Sequence, residues 1–379
     1  MLKIFMTGDN HIGLKYARHE QSAQLSIARI TDFEDMVKCA NAELCDLFVI
    51  TGDLFENTYS ISKKDVKALL DILVDFKGTV IILPGNHDYY DRETKLWQYF
   101  DDITKNTDNI LLISEYRKYE LNINDETVVL YPALCTSLHS EMGENNLQWI
   151  KEENIEPDNV YRIGIAHGAV EGETIDNEGR YFLMTRDELG NIKVDAWLIG
   201  HTHVPFPANL QENLCTCSER IFNAGTHVQT DVSCNTDGVC FILEIEGGNG
   251  QKNICAKKII SGNLRFIRKN ISVSAGEMKN ILMREFSDYP DNAVIDVVLS
   301  GAVSVEEYEN RTEILKSIFD RFIEWTYNDY SLSKLISKEL VEKEFPETSF
   351  SAGFLMELLD NPKEAQLAYE LLKSVKEGK

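Results

Sequence analysis

Five short polar segments of this chain hold side chains suited to binding metal ions. They are Gly8-Asp9-Asn10-His11, Gly52-Asp53, Gly85-Asn86-His87-Asp88, Ala166-His167-Gly168 and Gly200-His201-Thr202-His203. Five of the eight histidines lie in them, while His19, His139 and His227 have no comparable setting. Carboxylates, imidazoles and one amide oxygen make a mixed nitrogen and oxygen donor set. Such a set suits Mn²⁺ or Fe²⁺ better than a thiolate zinc site or an all-oxygen magnesium site. A central carboxylate can bridge two ions about 3.5–4 Å apart, the arrangement used for in-line displacement at phosphorus. Asp9 and His11 are two residues apart, as are His201 and His203, so extended backbone would place each pair on one face. The glycine ahead of Asp9, Asp53, Asn86 and His201 allows a sharp turn and close approach to a ligand.

Each segment ends an apolar run. LKIFMTG, LFVITGD and TVIILPGNHD read as strands, with helical spacing over residues 22–43 and in VKALLDILVDF between them. That alternation predicts a largely parallel sheet covered by helices. RKYELNI and ETVVLYPAL read as a hairpin turning at Asn124-Asp125, and YRIGIAHG and VDAWLIGHTH are further strands. RIFNAGTH, GVCFILEIEG and NICAKKII form a later strand group. In open α/β sheets ligands bind off the carboxyl ends of strands, where the five segments fall. Beyond residues 270–275 the pattern changes to a helix over 275–286, a strand AVIDVVLSG and a longer helix over 305–326. From SLSKLISKEL onward the spacing predicts charged helices, the last two joined at Asp360-Asn361-Pro362.

The 379 residues allow two or three domains, and their composition is that of a globular protein. No apolar run reaches membrane-helix length and no secretory signal is apparent, which leads us to expect a cytoplasmic location. The eight cysteines are dispersed, and Cys215-Thr216-Cys217 has no second pair at zinc-ligand spacing. A net charge of −24 argues against a protein that coats nucleic acid by charge alone. The segment Cys255–Asn270 forms a local basic stretch, with Lys257, Lys258, Arg265, Arg268 and Lys269 and no acid.

The ordered set resembles the calcineurin-like metallophosphoesterase superfamily, whose pattern D-x-H … GD … GNH[DE] … H … GHxH is matched over about residues 1–260. The resemblance implies a four-layer α/β/β/α sandwich with a smaller α+β capping domain and C-terminal helices. The implied domains are a metallophosphoesterase domain over 1–268, a capping and DNA-recognition domain over 269–346, and a helical segment over 347–379. It also implies two divalent ions, manganese first, with iron, magnesium or zinc as alternatives. One ion would be held by Asp9, His11, Asp53 and His203, the other by Asp53, Asn86, His167 and His201. His87 would face the phosphate as the catalytic histidine, oriented by Asp88.

Within the superfamily the chain is most similar to the SbcD-type DNA repair nucleases. TGDLFENTYSIS, the acid Asp88 after the third motif and the continuation into an α+β segment carry that likeness. Two departures stand out. Glu56 occupies the place three residues after Asp53 where several of these nucleases have histidine, and Asn223–His227 replaces a PGS-like turn. The likeness implies a manganese-dependent exonuclease and single-strand endonuclease acting on DNA with an SbcC-like ABC ATPase, whose coiled coil would dock on the C-terminal helices. It further implies a homodimer, for which Leu96, Trp97, Phe100 and Ile103 are candidates, and no membrane association. Competing readings are a phosphoesterase of nucleotides or other small phosphates, and a scaffold that recruits an ATPase.

Overall fold

Alternation along the first strands sets the layering. In the computed structural model, which describes residues 1–141, 143–155, 160–173, 176, 179–234, 236–247 and 252–376, Ile4 and Met6 face one way and Phe5 the other. The chain forms two compact units, Met1–Arg18 with Ser22–Leu264, and His19–Gln21 with Arg265–Lys379.

In chain order the first unit contains β1 (Leu2–Thr7), α1 (Ser22–Ala42), β2 (Leu47–Ile50), α2 (Lys63–Val74), β3 (Thr79–Ile82), α3 (Lys95–Thr104), β4 (Ile110–Leu112), β5 (Tyr119–Ile123), β6 (Glu126–Ala133), α4 (Gln148–Glu152), β7 (Tyr161–His167), α5 (Arg186–Asn191), β8 (Ala196–Gly200), β9 (Cys215–Cys217), β10 (Ile221–Phe222), β11 (Val239–Glu246) and β12 (Asn253–Ile260). One sheet has the order β4-β3-β2-β1-β11-β12-β9 and the other β10-β8-β7-β6-β5. Between them lies a core of Ile4, Met6, Val49 and Ile81 against Val128, Leu130, Ile163 and Leu198. Phe5, Phe48 and Ile82 instead pack on Phe33 and Met36 of α1, Leu69 of α2 and Trp97 and Phe100 of α3. Val129, Tyr131 and Ile199 pack outward on Leu147, Ile150 and Leu189. The result is the expected α/β/β/α order of layers.

Pairing is parallel among β1, β2 and β3 and among β6, β7 and β8. The strand ends that precede the polar segments are therefore gathered at one edge of each sheet. The hairpin turn is as expected: Asn124 and Asp125 have φ of 51° and 66°, the type I′ signature. Cys215–Cys217 is an edge strand, and its cysteines are free thiols. Leu96, Trp97 and Phe100 are buried in the chain's own core, which removes them from the suggested dimer surface. No helix among the described residues is long and apolar enough to cross a membrane.

The second unit has a three-stranded sheet of β13 (Arg265–Ser274), β14 (Ala293–Val303) and β15 (Glu324–Lys334), all parallel. Its helices are α6 (Met278–Phe286), α7 (Val305–Glu309), α8 (Arg311–Phe319), α9 (Lys338–Glu344), α10 (Phe350–Leu358) and α11 (Pro362–Lys376). The single helix expected over 305–326 is corrected. It divides at Asn310, and Glu324–Lys334 is a strand whose Trp325 and Tyr327 pack on the core while Thr326, Asn328 and Tyr330 face outward. Aromatic alternation of period two wins there over helical spacing that ran on through Phe319 and Phe322. Val341, Phe345, Leu355 and Tyr369 give the last three helices a small core of their own. The final residues of the C-terminal segment, 377–379, lie outside the described residues.

Three of the five cations of the basic stretch are ion-paired within the chain. Lys257 pairs with Glu43 at 2.8 Å, Arg268 with Asp296 at 3.3 Å and Lys269 with Glu285 at 3.5 Å. Its residues also divide between the units, since Arg265 opens β13.

Candidate metal centre

The donors leave the strands in backbone that ordinary residues seldom adopt. Asp9, His11, Asp53 and His201 have φ of 48°, 45°, 51° and 106°. The extended, same-face geometry expected for Asp9 with His11 and for His201 with His203 is thus corrected. The loops after β1 and β2 instead run side by side, with Asp9 N donating to Gly52 O at 3.0 Å and His11 N to Asp53 O at 2.9 Å. Left-handed torsions at non-glycine positions cost about 1–3 kcal/mol each and persist only where the surroundings enforce them. Gly52 shows how tight the enforcement is. Its φ is +102°, and a Cβ there would fall 2.1 Å from His167 Nδ1.

These loops bring all seven expected donors together. His11 Nε2 lies 3.1 Å from His203 Nε2, and His203 Nε2 lies 3.9 Å from Asp9 Oδ1. Asp53 Oδ2 stands between two groups, 3.9 Å from His11 Nε2 and 3.3 Å from His167 Nε2. Asn86 Oδ1 is 3.0 Å from His167 Nε2 and 3.1 Å from His201 Nδ1. Two candidate ion-holding clusters lie among these donors, Asp9-His11-His203 and Asp53-His167-His201, and a third, His11-Glu56-His87, shares His11 with the first. Asp9, His11, Asp53, Asn86 and His167 are buried, and His203 is the most open, with 40% of its side chain exposed.

This donor set fits two divalent ions. The ion-pair partners of the buried Asp9 and Asp53 carboxylates are histidines, and imidazole nitrogens converge on one another at hydrogen-bond distance. His167 Nδ1–H donates to Thr51 O at 2.8 Å, which leaves Nε2 for an ion. In the ion-free chain burial opposes charge on His167, but adjacent Asp53 outweighs it and raises the pKa to about 9. Burial likewise opposes charge on Asp53, yet His167 and His11 hold its carboxyl well below the usual range. Burial, then the neighbouring His167, push His201 down to about 4.

His87 stands beside the donors and is held at two points. Its backbone N–H donates to Asp53 Oδ1 at 2.8 Å, and its Nδ1 lies 3.1 Å from Glu56 O. The ring meets that of His11 edge-on, with centroids 4.9 Å apart. The expectation that Asp88 orients His87 is corrected. The Asp88 carboxylate accepts from the backbone N–H groups of Gly85 at 2.7 Å, Phe55 at 3.0 Å and Asp53 at 3.2 Å. It clamps the loops after β2 and β3, while the carbonyl of Glu56 holds the His87 ring. Burial and then Asp53 raise the Asp88 pKa to about 6.

Sequence reasoning missed the support beneath Asp9-Asn10-His11. Arg29 of α1, fully buried, donates through Nε to Asn10 O at 2.7 Å and through Nη1 to Tyr16 Oη at 3.2 Å. His227 Nδ1 meets Asn10 Nδ2 at 3.1 Å, and Nε2 meets Arg29 O at 3.2 Å. Burial and then Arg29 push His227 well below its ordinary pKa, so it is neutral, accepting at Nδ1 and donating at Nε2. A signal existed in α1, since Arg29 interrupts a buried stripe of Leu25, Phe33, Met36, Val37 and Ala40.

Among solved structures the chain resembles the protein TT1561 of Thermus thermophilus, at 11% identity and a TM-score of 0.39, over 65% of this chain and 98% of that one. It also resembles a dimetal phosphatase from Danio rerio, at 14% identity and a TM-score of 0.37, over 67% and 98%. Residues 2–205, more than half of the chain, match the calcineurin-like phosphoesterase family, and the chain belongs to that family of metal-dependent hydrolases.

Proposed function

We propose that the chain is a manganese-dependent DNA nuclease that hydrolyses phosphodiester bonds, working as exonuclease and single-strand endonuclease with an SbcC-like ABC ATPase. The observation that carries this is His87, held beside the seven clustered donors by Glu56 O and Asp53 Oδ1. Two bound divalent ions supply Lewis-acid charge at phosphorus and make water more acidic. Asp9, His11, Asp53 and His203 would hold one ion, and Asp53, Asn86, His167 and His201 the other. With Nδ1 turned to the Glu56 carbonyl, His87 presents Nε2 to the phosphodiester. In its imidazolium form, with Nδ1–H on the Glu56 carbonyl and Nε2–H on a phosphate oxygen, it gives the Nε2 proton to the oxygen that leaves phosphorus as the oxygen of water bonds there. The Asp88 clamp keeps the Asp53, Gly85 and Phe55 amides fixed, and with them the loops that present Asp53, Asn86 and His87.

The likeness of TGDLFENTYSIS and Asp88 to SbcD-type nucleases supports DNA as substrate. A solvent-facing apolar stripe supports a helical partner, with Leu367, Leu371 and Val375 of α11 at spacing four and exposed by 61%, 59% and 77%. Phe350, 81% exposed, stacks on Phe354 on α10. A coiled coil laying apolar positions along such helices is the expected mode, and the basic DNA surface that a chain of charge −24 lacks would come from that ATPase. A homodimer and a cytoplasmic location belong to the same proposal.

The test is degradation of linear DNA by the full chain with Mn²⁺, with and without the ATPase, and with His87→Ala as control. Mn²⁺-dependent loss of DNA that disappears in H87A supports the reading. Intact DNA together with rapid hydrolysis of bis(p-nitrophenyl) phosphate would assign the centre to small phosphodiesters instead. The exposed stripe favours one further reading, a scaffold that recruits the ATPase. That reading prevails if repair in cells survives H87A but fails when residues 350–379 are deleted.

A further inference from the structure

Glu56 touches both functional histidines of the first unit's β1 and β3 loops. Its backbone N–H donates to Ile12 O at 3.0 Å, which docks it beside the Asp9-Asn10-His11 loop, and its carbonyl lies 3.1 Å from His87 Nδ1. Its side chain turns the other way, placing Oε2 3.0 Å from His11 Nδ1. The second nitrogen of His11 faces the donors, 3.1 Å from His203 Nε2. His11 Nδ1 is buried without an aligned hydrogen-bond partner among the described residues, so the Glu56 carboxylate is the acceptor within reach. A carboxylate behind a metal-ligating imidazole fixes its tautomer, holds the ring plane and raises donor strength.

We propose that Glu56 is a positioning residue of the metal centre, whose carboxylate holds His11 in its Nδ1–H form with Nε2 directed at the ion shared with Asp9 and His203. This rests on the two-ion reading of the centre. The departure from histidine at this place then exchanges a group turned toward substrate for one turned toward a ligand. The role is also one-sided. On the other half of the centre His167 has its own support, Thr51 O at 2.8 Å, and does not depend on Glu56. One ion should feel the loss of Glu56 and the other serve as an internal control.

The experiment is calorimetric titration of the full, metal-stripped chain with MnCl₂ for wild type, Glu56→Ala and Glu56→Gln, with ion-free melting followed by circular dichroism. In E56A one of two binding steps should weaken by about 10–100-fold, the range for loss of an outer partner, while the other step holds. E56Q keeps an acceptor without the charge and should recover part of that loss, leaving the step weaker than in wild type. Both steps unchanged in E56A, both weakened alike, or a glutamine variant no better than alanine would each overturn the role. Glu56 is partly exposed and outside the apolar clusters. If E56A nevertheless failed to fold, the decision passes to E56Q. A weakening of one step alone supports the role there, and none refutes it. Wild type binding fewer than two ions would instead overturn the two-ion reading, and this role with it.

Discussion

Gly52→Ala is the most demanding test of how the centre is built. The substitution adds one methyl group to a residue that is not a donor. Its carbon would lie 2.1 Å from His167 Nδ1, 2.6 Å from Cγ of the same ring and 2.9 Å from the Gly85 Cα, at a φ of +102°. The ring cannot stay where it is, and the Thr51 O contact at 2.8 Å must break with it. Backbone strain of about 1–3 kcal/mol and a severed buried hydrogen bond of about 1–3 kcal/mol sum to roughly 2–6 kcal/mol. At about 2–4 °C per kcal/mol for a domain of this size, the first unit's melting midpoint should fall by on the order of 10 °C. His167 leaves the second donor group, while Asp9, His11 and His203 are untouched. The ion-free variant should therefore be less stable by circular dichroism and bind one Mn²⁺ tightly instead of two. A G52A protein with wild-type melting and two intact sites would refute the packing of these loops described above.

The remaining predictions concern division of labour and pH. Asn86→Ala should weaken one Mn²⁺ step by about 10-fold or more, as loss of a ligand contact should cost at least what loss of an outer partner does, whereas His87→Ala should keep both ions and lower turnover by about 10²–10⁴-fold. Equal loss of metal in both variants, measured by titration beside steady-state rates, would remove the distinction. Because His167 titrates at about 9 in the ion-free chain, it is protonated at pH 7 and must release that proton when an ion binds. Mn²⁺ affinity should therefore rise toward pH 9, by up to about tenfold per unit from this ligand, with proton release visible calorimetrically in buffers of different ionisation enthalpy. Burial opposes charge on Glu188, but Lys151, the Thr185 amide and Asn145 bring its pKa down to about 2. The stability it contributes is present above pH 4.5 and lost as pH falls toward 2. Glu188→Gln should flatten that limb of the melting profile by about 1 kcal/mol or less, since the pair is partly exposed.

The strands around the site were legible because parallel strands buried on both faces read as continuous apolar runs, as in LFVI and TVII. The donors were legible because their side-chain types end those runs. What escaped depends on residues distant in the chain. The left-handed backbone at Asp9, His11 and Asp53 follows from two loops bonding side by side, which the spacing of Asp9 and His11 cannot reveal. Asp88 looked like a partner for its neighbour His87, yet its oxygens are taken by amides from a loop 33 to 35 residues earlier. His227 and Arg29 support Asn10 from 217 and 19 residues away. β15 was hidden because its aromatic alternation continued a helical spacing that had already begun.

The provenance of the donors also bears on the order of events in folding. Asp9, His11, Asp53 and Asn86 follow strands of one sheet, while His167 ends a strand of the other and His201 and His203 follow its neighbour. Each group of four proposed ligands therefore spans the sandwich, and neither exists until the two sheets have stacked. Contacts between residue 9 and residue 203 are non-local pairings, the kind whose closure slows folding. Bound ions would then act on the finished sandwich and not on its assembly, slowing the separation of the sheets while leaving the rate of their first encounter unchanged. With ions bound, the centre would be a clasp fastened after folding, and kinetic persistence of the first unit would become a property of its ion supply.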